Sequence, residues 1–504
     1  MDELKKRKLS QFYKSREDRF TLDDITINDL DLDDFFEKSD FTVSSFGEEV
    51  LYAILRQPCF SKEQLSEREE LINKYSKDET GVLKIQKKLS EVNKLKKISV
   101  FEYLRKFEEA PQISVFTALT AIILTVLSLC VIPFNAVAGV LIFAVVFVFN
   151  CISYFKLRGK VEPYFISIYY ITRAIKIASF IPETDKENLS LIKNIKKGGI
   201  FLGKVNGITI NSGSGNPLDV LLDFLRMALH FDILAFIFIK RKIKNYYTQI
   251  AQTLEEIGYI DACISIGIFR KQNENYCIPV LNDFSKPHLS IKDGFHPLLK
   301  NPVSNSVYLD KSMLITGSNA SGKSTFLRMC GLCSILAQTY HCVPAAAYEG
   351  SFFRVLSSMK ISDSIGKNES FYIAEVRALK RILDAVDENS EFSVLSITDE
   401  VLRGTNTVER IAASSQIIKY LSKQCLSICA THDIELTFIL ENDCINYHFN
   451  EEVTEEDIKF SFILKEGRAD SRNAIKLLKL EGFPSEIIEN SLRISEDSDI
   501  NRIF

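Results

Sequence analysis

From Ala110 to Phe155 the chain runs for 46 residues without a charged side chain. The run divides into Ile113–Ile132 and Ala136–Phe155, each 20 residues long, around Pro133-Phe134-Asn135. A helix needs about 20 apolar residues to cross a bilayer, and Pro and Asn suit a tight turn between two helices. A helical hairpin buried in a large soluble core is the competing reading. Two adjacent uncharged runs of full spanning length weigh against it, so residues 110–155 are expected to form a two-helix transmembrane hairpin in contact with membrane lipid. Lys84 to Lys106 holds eight Lys or Arg against Glu91 and Glu102, and Lys156, Arg158 and Lys160 follow the second span. Basic flanks stay on the cytoplasmic side and favour anionic head groups. The N- and C-terminal parts are therefore expected in the cytoplasm, with the protein a two-span membrane protein. Met227–Ile239 is shorter and contains His230 and Asp232. Apolar runs of that length are more often core helices, which assigns it to the soluble part.

The rest of the chain is ordinary. At roughly 150 residues per domain, 504 residues suggest about three domains. Hydrophobic residues make up 46% and charged residues 25%, which excludes disorder, collagen and a pure coiled coil. The net charge of −4 excludes a polycation, so any contact with nucleic acid must come from local patches. The slightly apolar mean hydropathy of +0.03 is explained mainly by the uncharged run. Eleven scattered cysteines read as reduced thiols of a cytosolic protein. Cys330 and Cys333 form a C-x-x-C without a second pair and are expected to pack in a helix rather than to bind metal. The N-terminus has no apolar core of a cleavable signal peptide.

Four regions follow. Residues 1–109 read as a helical, charged, core or lever-like part, in which Ser61–Lys106 has apolar positions spaced by three, four and seven, as one or two amphipathic helices require. Residues 110–155 are the hairpin. Residues 156–285 read as helical lever, with helix over Tyr164–Phe180 and Asp219–Phe269, a β-hairpin at Ile200–Ile210 around Asn206-Gly207, and a loop at Asn211–Pro217. In residues 286–504 short apolar strands alternate with helices, the pattern of an α/β domain with a largely parallel sheet.

That last region carries the chemistry. Ser312–Thr316 reads as a strand, followed by Gly317-Ser318-Asn319-Ala320-Ser321-Gly322-Lys323-Ser324-Thr325 and a helix from Phe326. This is a P-loop in its required strand–loop–helix context. Gly317 and Gly322 let backbone N–H groups turn in around phosphate oxygens, and the helix N-terminus adds its positive end. Lys323 can reach the β- and γ-phosphates of ATP, and Ser324 can ligate Mg²⁺. A second strand, Phe392–Thr398, runs into Asp399-Glu400. Asp399 is expected to hold Mg²⁺ through water, and Glu400 to orient and activate the attacking water. A third, Leu426–Ala430, ends in Thr431-His432-Asp433, which places His432 for contact with the γ-phosphate.

These residues resemble the MutS mismatch-repair ATPases. Ile315-Thr316-Gly317-x-Asn319-x-x-Gly322-Lys323-Ser324-Thr325 is similar to that family's phosphate loop, and Asp399-Glu400-Val401-Leu402-Arg403-Gly404-Thr405-Asn406-Thr407 to its D-E-x-x-R-G-T-x-T. Ala430–Thr437 resembles A-T-H-x-x-E-L-T, and Phe295-His296-Pro297-Leu298 the R-H-P segment that opens the ATPase domain. Ile257–Leu281 and Thr26–Arg56 look like parts of its lever and core. The resemblance implies a P-loop NTPase of the ABC-like, MutS type behind a mostly α-helical core and lever region. It also implies a homodimer with composite ATP sites, in which Ser370 of Ser370-Phe371-Tyr372-Ile373-x-Glu375 offers its hydroxyl and N–H to the partner's nucleotide. Action on DNA is implied by resemblance alone.

The departures matter. Ser318, Ala320 and Ser321 replace Pro, Met and Gly of the family's loop, and Phe371 its signature Thr. The family's mismatch-reading domain is expected to be missing, and Phe35-Phe36-Glu37 fits the family's Phe-x-Glu wedge only by letter, inside the acidic run Asn28–Asp40. The uncharged hairpin stands where the DNA clamp would be. Two readings stay open: a membrane-anchored MutS-like ATPase that acts on DNA, and a membrane-bound ATP-driven scaffold or switch that no longer binds it. An ABC-type transporter shares the loop, acidic strand and His, but two spans give too few helices for a substrate path.

Overall fold

Asp2, Asp23, Ser44, Ser61 and Asp78 each accept, on the side chain, the backbone N–H three residues ahead, and each starts a helix. Such a cap is worth about 1 kcal/mol. The helices are α1 (Glu3–Lys14), α2 (Asp24–Asp29), α4 (Ser45–Arg56), α5 (Lys62–Lys77) and α6 (Glu79–Ser90), with α3 (Leu32–Ser39) and α7 (Val100–Lys106) completing the N-terminal part. The one or two helices expected over Ser61–Lys106 are three, because Asp78 ends one and caps the next. The computed structural model describes residues 1–178, 224–359 and 371–496, apart from 17–18, 92–93, 96–98, 226, 274, 283–285, 319–320, 389, 454–457, 469–477 and 479–481. The β-hairpin and loop expected over 200–217 lie outside the described residues.

The uncharged run forms α8 (Val115–Val131) and α9 (Ala136–Ala178), which pack against each other. At the turn, the Phe134 and Asn135 N–H groups donate to the Val131 carbonyl, and the Asn135 side chain caps α9 by accepting from Ala138 N at 3.1 Å. The expected pair of 20-residue spans is thus unequal. Among the described residues, one helical stretch, Ala136–Glu162, is long and apolar enough to cross a membrane. The first helix has 17 residues, since Ser114 caps it late and the turn ends it before Pro133. The second runs past Phe155 and includes much of the segment expected as a separate helix from Tyr164.

Helices α10 (Phe231–Asn245) and α11 (Tyr247–Gln272) follow, and α11 is the spine of the helical part. Its Asp261 carboxylate accepts from Ser44 N at 3.0 Å and Ser44 Oγ at 2.6 Å, closing the start of α4. Gly258 lets the two helices touch: a Cβ there would meet the Phe46 carbonyl oxygen and Val50 Cγ2, both at 2.7 Å. Gly258→Ala must therefore push α4 off α11. Overpacking of this kind costs about 1–3 kcal/mol, and the expected result is a thermal unfolding midpoint several degrees lower; an unchanged midpoint would show that the crossing relaxes freely.

The C-terminal part holds two sheets. The strands are β1 (Val280–Leu281), β2 (Leu289–Gly294), β3 (Asn305–Leu309), β4 (Met313–Thr316), β5 (Ala347–Gly350), β6 (Phe353–Ser358), β7 (Ser393–Asp399), β8 (Leu426–Thr431), β9 (Ile445–Val453) and β10 (Ile458–Glu466). Four form a sheet in the order β1-β5-β2-β3, and six another in the order β10-β9-β4-β8-β7-β6. The larger sheet is parallel except for β10 at its edge. Between its strands come α12 (Lys323–Gln338), α13 (Phe371–Asp387), α14 (Thr407–Gln424) and the short α15 (Glu435–Ile439); α16 (Ser485–Glu496) lies beyond it. The predominantly helical N-terminal part and the mixed α/β domain match the expected fold class.

One apolar core joins the two parts. Phe35 and Phe36 are fully buried in it together with Leu327, Cys330 and Cys333 of α12. Burial pushes the Cys330 and Cys333 thiols up, as core packing requires. The Asp29 carboxylate accepts from Ser357 Oγ at 2.7 Å and Met359 N at 2.9 Å, fixing α2 to the end of β6. At the far end of α11, Arg270 forks onto Glu69 at 2.9 and 2.8 Å and also donates to the Tyr340 and His341 carbonyls, just past α12. Burial would raise the Glu69 carboxyl, but His341 and Arg270 outweigh it and hold it down at about 2. The spine helix is thereby clasped to the end of the phosphate-loop helix.

Candidate functional site

Parallel strands end on one side of a sheet, and sites in such folds form there. Thr316 of β4 stands beside Thr431 of β8, and Asp399 of β7 beside Ala430. The three segments singled out in the sequence therefore converge, although their residues are separated by up to 116 positions.

The phosphate loop leaves β4 at Gly317 and enters α12 at Lys323. Gly322 takes φ +108°, where a side chain would be strained. Lys323 is buried and donates from Nζ to the Gly317 carbonyl at 2.7 Å and the Ser318 carbonyl at 2.8 Å. Its ammonium lies 3.4 Å from His432 Nε2. Ser324 Oγ donates to Asp399 Oδ2 at 2.5 Å. A hydroxyl and a carboxylate oxygen so close are hard oxygen donors of the kind Mg²⁺ takes alongside water and phosphate. Ser324 and Asp399 therefore fit the ion and would hold it, and when bound it neutralises charge on the phosphates.

Glu400 follows β7 with φ +56°, in the left-handed region, and Leu402 has φ +62°. Non-glycine residues in that region are costly and concentrate at functional sites. The Glu400 N–H donates to the Ala430 carbonyl at 2.9 Å, so the strained residue is tied across to β8. Its carboxylate reaches His432 Nε2 at 2.8 Å and accepts from Arg403 Nε. Burial acts to raise this carboxyl, and His432 and Arg403 more than cancel it, leaving it at about 2. Glu400 is thus ionised near neutrality but engaged by two side chains. Arg410 grips Asp433 through two hydrogen bonds of 2.9 and 2.6 Å, which steadies the segment that carries His432.

A cavity of about 450 Å³ opens from these groups. It is lined by Lys323, Ser324, Thr325, Asp399, Glu400 and Arg403 and by Phe295, Leu299, Val303 and Phe462. Charged groups and apolar, aromatic surface in one cavity suit a ligand that joins a phosphate chain to a flat base.

Of the residues expected at the site, Gly317, Gly322, Lys323, Ser324, Thr325, Asp399, Glu400 and His432 are brought together. Asn319 and Ser370 lie outside the described residues. Two participants carry no role in the sequence reading. Arg403 pairs with the proposed base, and the Glu375 side chain, one turn into α13, accepts from Arg403 N at 3.0 Å. Both sit in the quoted motifs, which was the available signal. Phe462 had none, because it reaches the cavity from the edge strand β10.

Residues 313–498 match the family model described as MutS domain V. The chain is 30% identical over 292 residues to the DNA mismatch repair protein MutS of Clostridioides difficile, covering 55% of this chain and 30% of that protein. It is 31% identical over 272 residues to the MutS of Carboxydothermus hydrogenoformans, covering 51% and 31%, and 34% identical over 225 residues to that of Aquifex pyrophilus, covering 42% and 25%. The matched part is thus about a third or less of each relative's own length.

Proposed function

Because the chain belongs to the MutS family by its C-terminal domain, we propose that it is a membrane-anchored ATPase that binds and hydrolyses ATP at a homodimer interface and acts on DNA. The observation that carries the ATPase reading is that Lys323, Ser324, Asp399 and Glu400 line one cavity, with His432 in contact with Lys323 and Glu400. In this reading Lys323 neutralises the β- and γ-phosphates and Ser324 with Asp399 orients the metal-bearing side. Glu400 positions and deprotonates the attacking water, and His432 contacts the γ-phosphate. Residues 110–155 anchor the protein, with the parts before and after them cytoplasmic.

The DNA step rests on the relatives' names. A second reading, an ATP-driven membrane scaffold or switch without DNA, is favoured by one observation: Phe35, the aromatic letter that fits a mismatch wedge, is fully buried and cannot enter a duplex. The two are separated by measuring ATP turnover and binding with homoduplex, mismatched and branched DNA over a salt series. DNA action predicts stimulation at low salt that falls steeply as salt rises, because phosphate contacts release counterions. Turnover that ignores every DNA at low salt, without binding, would leave the scaffold reading.

A further inference from the structure

The edge strand β10 loses its regular register beside the cavity. Between Phe460, opposite Glu451, and Leu464, opposite Phe449, β10 advances four residues while β9 advances two. The excess is a β-bulge, which bends a strand and re-aims a side chain beside a site. Phe462 lies inside it with φ +54°. A bulky residue takes that left-handed conformation only where its surroundings hold it there.

Asn305, the first residue of β3 in the other sheet, does the holding. Its Nδ2 donates to the Phe462 carbonyl at 3.0 Å, and its Oδ1 accepts from Leu464 N at 2.7 Å. β10 is the outermost strand of its sheet, and the amide supplies two of the hydrogen bonds that a further strand would make. Both ends of the Asn305 side chain are thus engaged by the bulge. The Phe462 ring is set over the phosphate loop, where a Cβ on Gly322 would lie 3.2 Å from Phe462 Cδ1. There it lines the cavity together with Lys323 and Ser324. The phosphate side is built separately: Lys323 donates to Gly317 and Ser318, and Ser324 to Asp399. An aromatic ring gives a flat base a face to stack on, and a ring fixed in advance costs little further entropy to use.

We propose that Asn305 is a positioning residue for the nucleotide base. By pinning the bulge of β10 it keeps Phe462 in the left-handed conformation that places its ring over the phosphate loop, and so it sets the base-dependent share of ATP affinity. This rests on the ATP reading of the cavity, and it leaves the share supplied by the phosphates to Lys323, Ser324 and Asp399.

The test compares ATP with ribose 5-triphosphate, which lacks only the base. Kd for each, with Mg²⁺, is measured by calorimetry on the full-length protein and on Asn305→Ala, Phe462→Ala and the double variant. The expected result is that each single variant weakens ATP about tenfold, the scale of one base–aromatic contact, and leaves ribose triphosphate within twofold. The double variant should be no weaker than either single one, because Asn305 acts through Phe462. Asn305→Asp keeps the acceptor for Leu464 N but sets an oxygen against the Phe462 carbonyl. It should show the same selective loss, and it carries the test if Asn305→Ala does not fold. A merely structural role for Asn305 would weaken both ligands alike, which overturns the inference, as does an unchanged ATP affinity or losses that multiply in the double variant. If the parent protein binds ribose triphosphate as tightly as ATP, the inference falls while the phosphate half of the site stands. If the parent binds neither, the ATP reading and the inference fall together.

Discussion

Lys323→Ala is expected to remove ATP binding while leaving the fold intact. In the structure the Lys323 ammonium is buried and held by two carbonyls of its own loop, 2.7 and 2.8 Å away, with His432 Nε2 at 3.4 Å, in the lining of the cavity. A phosphate would meet this cation with full opposite charge. Truncating one partner of a buried, hydrogen-bonded charge pair costs about 2–5 kcal/mol, which weakens Kd by roughly 30-fold to several thousand-fold. The measurement is displacement of a fluorescent ATP analogue, with the thermal midpoint of the ligand-free protein alongside. An affinity within a few-fold of wild type would refute the assignment of Lys323 to the phosphates. A midpoint that falls together with affinity would instead place its main effect in bracing the loop, since Gly317 and Ser318 lose a donor in the same variant.

The sequence and the structure agree most closely where chemistry is local. Strand β4, the glycines and Lys323 are contiguous, and a glycine at φ +108° is what a loop closing on a helix N-terminus demands. The strands ending at Asp399 and Thr431 were legible for the same reason: a run of apolar residues bounded by polar ones is a buried parallel strand. Less legible was anything that depends on two distant segments meeting. The pairing of Glu400 with His432 needs β7 and β8 to be neighbours, and the apolar lining of the cavity needs Phe462 to come back from β10. The left-handed backbone at Glu400 and Leu402 is invisible in composition, because neither residue type favours it; the surrounding hydrogen bonds impose it. The uncharged region divides in the same way. Two uncharged runs marked a hairpin, but the starts of its helices were set by the caps at Ser114 and Asn135. The contacts of His230 and Asp232 were not legible, because their partners Asn150, Tyr154 and Arg158 lie about 80 positions earlier.

Glu400→Gln is expected to separate binding from turnover. The substitution keeps the size and one carbonyl oxygen of the side chain but removes its capacity to take a proton. Gln can still accept from Arg403 and meet His432, so the strained backbone at φ +56° and its link to the Ala430 carbonyl should persist. Lys323, Ser324 and Asp399 are untouched, and ATP affinity should stay within a few-fold of wild type. Loss of a positioned general base slows a reaction by about 10²–10⁴-fold, so single-turnover hydrolysis should fall into that range. The pairing adds a further expectation. His432 and Arg403 hold the carboxyl down at about 2, far below neutrality, so Glu400 is already ionised and what limits it is its engagement by those two groups. In the proposed mechanism the base becomes available when they turn toward another anion, and a γ-phosphate contacted by His432 would be that anion. Wild-type hydrolysis by the Glu400→Gln protein would remove Glu400 from the chemistry. It would leave the Glu400–His432–Arg403 cluster as a structural tie between β7 and β8.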